Sequence, residues 1–393
     1  MRGKRHAVSI TGRPGLVLGA TLITLAVGYL IKFPCADGDW RDERQYRRLC
    51  YSDVVPLYSA RGVDRGLFPY LEADNEYPVL TGLTMAAAGA PAGSHASFFN
   101  WTALILTLGA AATAWALHRI VERRALLFAL APTLAAYAFM NWDLIAIAFA
   151  TVATLAFLRE RDRAAGILLG LGIAAKLYPI LLLIPFAATR VRAGQAGRAF
   201  HLAGWTAASW VAVNLPFAIL APERWSLFFR LNSSRPADWD SAWLLPQFKL
   251  GWSTGTVNLL AGATFVVLAA IVWIAAARRR PGFHLWTLGF PILVLFLLTS
   301  KVYSPQFSLW LLPWFALTLP DIRLFMAFQA ADVAVFVTRF RWFADFQPGD
   351  LPSAEFQLAL VARALVLLLC VVAWIRGKVE TPESVPEAAV VTA

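Results

Sequence analysis

Long apolar runs over residues 16–33, 96–117, 199–219, 254–277 and 354–375 recur along this chain, and short arginine-rich tracts separate many of its apolar segments. A helix needs roughly 20 mostly apolar residues to cross a bilayer. In hydrocarbon only structures that satisfy their own backbone persist, so runs of this kind specify helices. The expected fold class is therefore all-α, a polytopic helical bundle in a membrane. Only 15% of the residues are charged and 59% are hydrophobic, with mean hydropathy +0.60; soluble domains carry about a quarter charged residues. The 393 residues leave room for about twelve spans in a single transmembrane domain and for no large soluble one. The net charge of +11 comes from arginines placed between apolar runs. That is the positive-inside pattern and not a phosphate-backbone footprint, so no nucleic-acid partner is expected.

The arginine tracts order the topology. Arg2, Lys4, Arg5 and Arg13 keep residues 1–13 in the cytoplasm and send the first span outward, leaving residues 34–76 outside. Residues 78–90 are too short to cross and read as a half-embedded helix. A crossing there would force Arg119, Arg123 and Arg124 to the outer side. Spans follow at 125–140 and 143–158. Residues 164–188 split into two short helices with Lys176–Pro179 at the outer turn, because one continuous span would expose Arg190, Arg192 and Arg198 outside. Residues 221–253 read as a second outer loop, followed by spans at 283–299, 306–319 and 322–339. The Pro/Glu-containing tail, 377–393, is expected to be cytoplasmic and disordered. The localisation this implies is a multi-pass plasma-membrane protein.

Residues 34–76 hold nine Asp/Glu and six Lys/Arg together with several aromatics. A loop of this length without evident regular structure is functional or disordered, and this one is too aromatic for disorder. Cys35 and Cys50 share it, and both a disulfide and free thiols are compatible with an exported loop. Cys370 reads as a packed small hydrophobe. Asp37 and Asp39 have the form of a metal-binding pair, but turn chemistry around Gly38 explains them equally well, and no metal is assigned. The 16 tryptophans read mostly as interfacial anchors. Asp332 and Arg363 fall near mid-membrane in neighbouring antiparallel helices, where they are expected to form a structural salt bridge.

Other polar residues gather at one side: Asp53, Glu76, Asp143, Lys176, Arg230, Arg235, Lys301 and Gln306. A cavity lined by carboxylates and cations, open to the outer leaflet, suits a lipid phosphate, with cations holding the phosphate and a carboxylate taking a proton. Each residue also has a plainer reading. Asp53 and Glu76 can cap helices, and Lys176 and Lys301 can snorkel to headgroups.

Tyr51-Ser52-Asp53, Glu76-Tyr77-Pro78-Val79-Leu80, Asn141-Trp142-Asp143-Leu144, Lys176-Leu177-Tyr178-Pro179 and Lys301-Val302-Tyr303-Ser304-Pro305-Gln306 together resemble glycosyltransferase family 87, of the GT-C class, from about residue 50 to 315. The resemblance implies transfer of a hexose, typically mannose, from a polyprenyl-phosphate-sugar donor to an envelope glycolipid or glycan at the extracytoplasmic face. It carries the role of catalytic base to Asp53 by position. Glu76, Tyr77, Asn141, Asp143, Lys176, Tyr178, Arg230, Arg235, Lys301 and Gln306 are the expected substrate-binding residues, with membrane lipids as the surroundings and no cofactor. Pro78-Val79 and Asn141-Trp142-Asp143 depart from the family's usual residues and leave sugar and acceptor open. A lipid-linked-sugar transporter or flippase is the alternative. It would place ionisable groups along a path through the membrane, whereas here only Asp332 and Arg363 lie deep. A noncatalytic scaffold that docks partners on the acidic loop is a third reading.

Overall fold

The computed structural model describes residues 14–377. The expectations for residues 1–13 and for the tail beyond Gly377 lie outside the described residues. Each predicted apolar segment is helical, but the helices are of very unequal length. The first, α1 (Pro14–Lys32), leads into the loop, which holds two short helices, α2 (Arg44–Arg47) and α3 (Val54–Ala60). The segment expected to be half-embedded forms α4 (Val79–Gly89), about 16 Å long at 1.5 Å per residue, roughly half a hydrocarbon core. Next come α5 (His95–Val121), α6 (Leu126–Ala129) and α7 (Pro132–Tyr137). The segment 125–140, expected as one span, is interrupted after Ala129, and Pro132 opens a new first turn, where its missing N–H costs nothing.

The helices α8 (Asp143–Leu158), α9 (Asp162–Ala175) and α10 (Ile180–Arg192) match the predicted split, with Lys176 extended between the last two. Beyond α11 (Ala196–Leu220), the region expected as an outer loop contains α12 (Pro222–Ser234) and α13 (Leu244–Leu250). These carry mixed polar and aromatic residues and bury none of them, so no apolar run marked them in the sequence. The chain closes with α14 (Thr254–Arg279), α15 (Gly289–Thr299), α16 (Leu312–Thr318), α17 (Ile322–Ala344) and α18 (Ala354–Ile375). Among the described residues five segments are long and apolar enough to cross a membrane: Pro14–Cys35, His95–Ala129, Ala196–Leu220, Thr254–Arg279 and Ala354–Ile375. They surround shorter, more deeply buried helices such as α8, α15 and α16.

Glycine brings α9 and α11 into close contact. A Cβ on Gly166 would collide with the Leu202 carbonyl, and one on Gly170 with the Thr206 carbonyl. Where lipid replaces water as solvent, small residues that let backbones approach are the usual means of helix association. At one end of this pair Asp162 accepts from Arg190 (2.9 and 2.8 Å) and from Arg198 (2.5 Å), which ties down the arginine face of the bundle.

Midway along α17 and α18, Asp332 and Arg363 pair at 3.1 Å, as expected. The pair belongs to a larger cluster. Arg363 also faces Asp240 at 3.6 Å, and Asp240 meets Arg339. Asp240, expected in an outer loop, is buried, and Arg339 of α17 and Arg363 of α18 offset the charge it brings out of water.

The 34–76 loop is folded onto the bundle. Cys35 and Cys50 form a disulfide across 15 positions, Ser52 Oγ donates to the Phe139 carbonyl at 2.6 Å, and Val54, Val55, Leu57 and Tyr58 are buried. The Asp39 N–H donates to Asp37 Oδ1 at 3.1 Å, as turn chemistry around Gly38 predicts, and Arg44 and Arg41 pair with Asp37 and Asp39. Cys370 is buried. Trp142, Trp286, Trp310, Trp314 and Trp374 are buried in the core and not available as interfacial anchors, while the other tryptophans are at least partly exposed.

Candidate active site

Three chain segments converge on Asp53. Its own backbone N–H donates to the Met140 carbonyl at 2.8 Å, fastening the start of α3 to the turn between α7 and α8. Tyr51 Oη donates to Asp53 Oδ1 at 2.6 Å. Asn141 Nδ2 donates to Asp53 Oδ2 at 2.8 Å and to Tyr77 Oη at 2.9 Å. Each carboxylate oxygen thus has one protein donor and keeps acceptor capacity for another. Burial pushes the Asp53 carboxyl above its ordinary range, opposed by the Tyr51 and Asn141 hydrogen bonds and by the charge on Lys176. Desolvation disfavours the charged form, which gives the carboxylate a greater appetite for a proton than one in water.

Asp143, the first residue of α8, is fully enclosed. Its Oδ2 accepts from Lys176 Nζ at 2.9 Å and its Oδ1 from Trp310 Nε1 at 2.6 Å. Lys176 also lies 4.9 Å from the centre of the Phe307 ring, and Tyr178 stacks on Trp310 at 4.3 Å. Lys301 Nζ donates to the carbonyls of Arg235 (2.9 Å) and Ser233 (3.2 Å). Burial and the neighbouring Arg235 charge lower the Lys301 ammonium's affinity for its proton, as expected for two cations side by side. The segment that carries Lys301 is held by the Asp238 N–H, which donates to the Lys301 carbonyl at 2.8 Å, and by Trp243 Nε1 on the Thr299 carbonyl at 2.7 Å.

Asp53, Glu76, Tyr77, Asn141, Lys176, Tyr178, Arg235, Lys301 and Gln306 line one cavity of about 500 Å³. Glu76 is held by Arg61 at 2.5 Å. Asp143 lies behind the wall and acts through Lys176. Arg230 is not in the lining: it turns back along α12 to Ser226 Oγ (3.0 Å) and the Glu223 carbonyl (2.9 Å), whereas Arg235 lies just past the end of α12, where the chain turns extended and reaches the cavity. Phe228, Asn232, Ser304, Phe307 and Trp310, to which the sequence assigned no role, also line it. Ser304 lies inside the Lys301–Gln306 motif and Phe307 directly follows it, so both were within reach of sequence; Phe228 and Asn232 depend on the unforeseen α12. A larger hollow of about 650 Å³ at the arginine face is lined by Glu160, Arg161, Asp162, Arg163, Arg198 and His201. Its carboxylates are bound by arginines, which leaves no proton acceptor there comparable to Asp53.

Fold and cavity define a multi-pass helical membrane protein with a proton acceptor and several cations enclosed at one end of the bundle. The sequence matches glycosyltransferase family 87 over residues 76–305, more than half of the chain. The chain belongs to that family, which is of GT-C type, and is a membrane glycosyltransferase. No curated protein matches the sequence significantly. Among solved structures it is similar to ArnT from Cupriavidus metallidurans bound to undecaprenyl phosphate, at 13% identity and TM-score 0.46, over 92% of this chain and 77% of that one. The apo form of ArnT from the same organism gives 14% identity and TM-score 0.42, over 94% and 78%. At that distance no residue role passes from ArnT to this chain.

Proposed function

We propose that the protein transfers a hexose, mannose in the first instance, from a polyprenyl-phosphate-sugar to an envelope glycolipid or glycan, at the extracytoplasmic face of the plasma membrane. The observation that carries this reading is the shared cavity: a buried carboxylate held by Tyr51 and Asn141 stands in one enclosure with Lys176, Lys301 and Arg235. Asp53 removes the proton of the acceptor hydroxyl as its oxygen attacks the anomeric carbon. The bond from that carbon to the phosphate oxygen breaks, and its electron pair leaves on the phosphate. The displacement is single and inverts configuration. Lys301 and Arg235 stand side by side on the cavity wall, with only Asp238 among the described residues, 3.7 Å from Arg235, offsetting their charge, so they are the natural seat of the departing phosphate, with Lys176 the third cation within the cavity. Asp53 then passes its proton to water.

The other face carries the positive-inside complement. Arg123, Arg159, Arg190 and Arg278 lie at the helix ends away from Asp53, which supports an extracytoplasmic site. Purified protein in lipid, supplied with radiolabelled polyprenyl-phosphate-mannose and an envelope lipid extract, is expected to yield labelled product. Asp53→Asn is expected to fold and to lose most transfer; activity within a few-fold of wild type removes Asp53 as the base.

A further inference from the structure

The side-chain amide of Asn141 has only one orientation that satisfies its neighbours. Its Oδ1 accepts the Trp142 backbone N–H at 2.7 Å. Nδ2 must then be the atom that faces Asp53 Oδ2 and Tyr77 Oη, and its two protons serve one acceptor each. Tyr77 Oη is therefore the acceptor in that contact, and its own proton has to go elsewhere. Among the described residues no protein acceptor receives it, while Tyr77 lines the cavity. The ring is held in place, edge-on to Trp142 at 5.4 Å. Burial, reinforced by the negative charges of Asp53 and Glu76, holds the phenol well above its usual range, so it remains protonated.

We infer that the Tyr77 hydroxyl is a substrate-contacting hydrogen-bond donor, its proton directed by Asn141 into the cavity toward a hydroxyl oxygen of the transferred sugar. The inference rests on the glycosyl-transfer reading above and specifies which part of the donor this corner of the cavity recognises. Tyr77 shares its Asn141 contact with Asp53, and the base must stand beside the acceptor hydroxyl at the anomeric carbon. The group next to the base is thus next to the sugar ring. The phosphate, in contrast, belongs with Lys301 and Arg235, which are held through the 235–238 and 299–301 segments.

Tyr77→Phe keeps the ring and deletes only the donor. With the native polyprenyl-phosphate-sugar, kcat/KM normalised to folded, monodisperse protein is expected to fall roughly tenfold, the effect of losing one enclosed hydrogen bond. A series of monodeoxy-sugar donors then locates the contact. One deoxy donor is expected to be poor with wild type and no poorer with Tyr77→Phe, while the others lose the same additional factor in the variant. Asn141→Leu is expected to erase wild type's discrimination against that same deoxy donor, which loss of packing alone would not do. Tyr77→Phe within twofold of wild type, or losses that multiply for every deoxy donor, overturn the inference while leaving the glycosyl-transfer reading intact. No transfer by wild-type protein from any polyprenyl-phosphate-sugar overturns both.

Discussion

The pair formed by Asp143 and Lys176 is asymmetric, and its two halves should fail differently. Their atoms lie 2.9 Å apart, the aspartate side chain wholly enclosed and the lysine side chain 15% exposed at the cavity wall. At an effective dielectric constant near 20 the raw attraction over that distance is about 6 kcal/mol. Desolvation of both ions consumes much of it. Lys176→Met leaves Asp143 charged, enclosed and held by Trp310 alone, so the cost is that of an uncompensated buried charge, about 3–5 kcal/mol. Asp143→Asn leaves an ammonium that can turn into the cavity and be solvated, while the new amide oxygen still accepts from Trp310 Nε1. That substitution should cost about 1.5–3 kcal/mol, the worth of a hydrogen bond to a charged group. The double variant should recover part of the Lys176→Met loss. Thermal unfolding of the four proteins in one detergent ranks them. Equal losses for the two single variants, or a larger one for Asp143→Asn, would refute the reasoning, because it depends on only one partner having access to water.

Tyr51→Phe removes a hydrogen bond that favours ionised Asp53, so its carboxyl should rise further above the ordinary range. Activity needs the carboxylate and is lost as pH falls through that raised value, so the acid limb of the pH–rate profile should move to higher pH; an unmoved limb would show that Asp53 is not the titrating base. The stability term has the opposite sense: with the folded pKa raised, the contribution is fully present below about 3.9 and is lost as pH rises through the folded value. Arg363→Met strips Asp332 of its arginine and weakens the hold on Asp240, and should cost about 3–5 kcal/mol in stability. If it folds and localises normally while Asp332→Ala alone abolishes transfer, the pair is functional and not structural. Cys35→Ser opens a loop of 15 residues and should lower stability by about 3 kcal/mol, checked by comparing its melting with that of wild type under reducing and non-reducing conditions.

Length, hydropathy and arginine placement determine, from sequence alone, that this chain is a helical membrane protein, and they place its polar groups at one face. The split at Lys176–Pro179 follows from the same rule, because an intact helix would put Arg190 and Arg198 on the wrong side. These features are local or add along the chain, so one dimension suffices to read them. Asp53 was legible as a member of a motif, but its partners were not. Tyr51 is two residues away, while Asn141 is 88 positions distant and reaches it only because the start of α3 is fastened to Met140. The same limit applies to Asp240, whose sequence neighbours look like an exposed loop and whose arginines come from α17 and α18. Arg230 and Arg235 read alike in sequence, and only the end of α12 between them sends one back along its own helix and the other to the cavity. Hydrophobic pattern is a sum over neighbours in the chain and fixes which segments leave water. The charge around a buried carboxylate is a sum over neighbours in space, and that only packing decides.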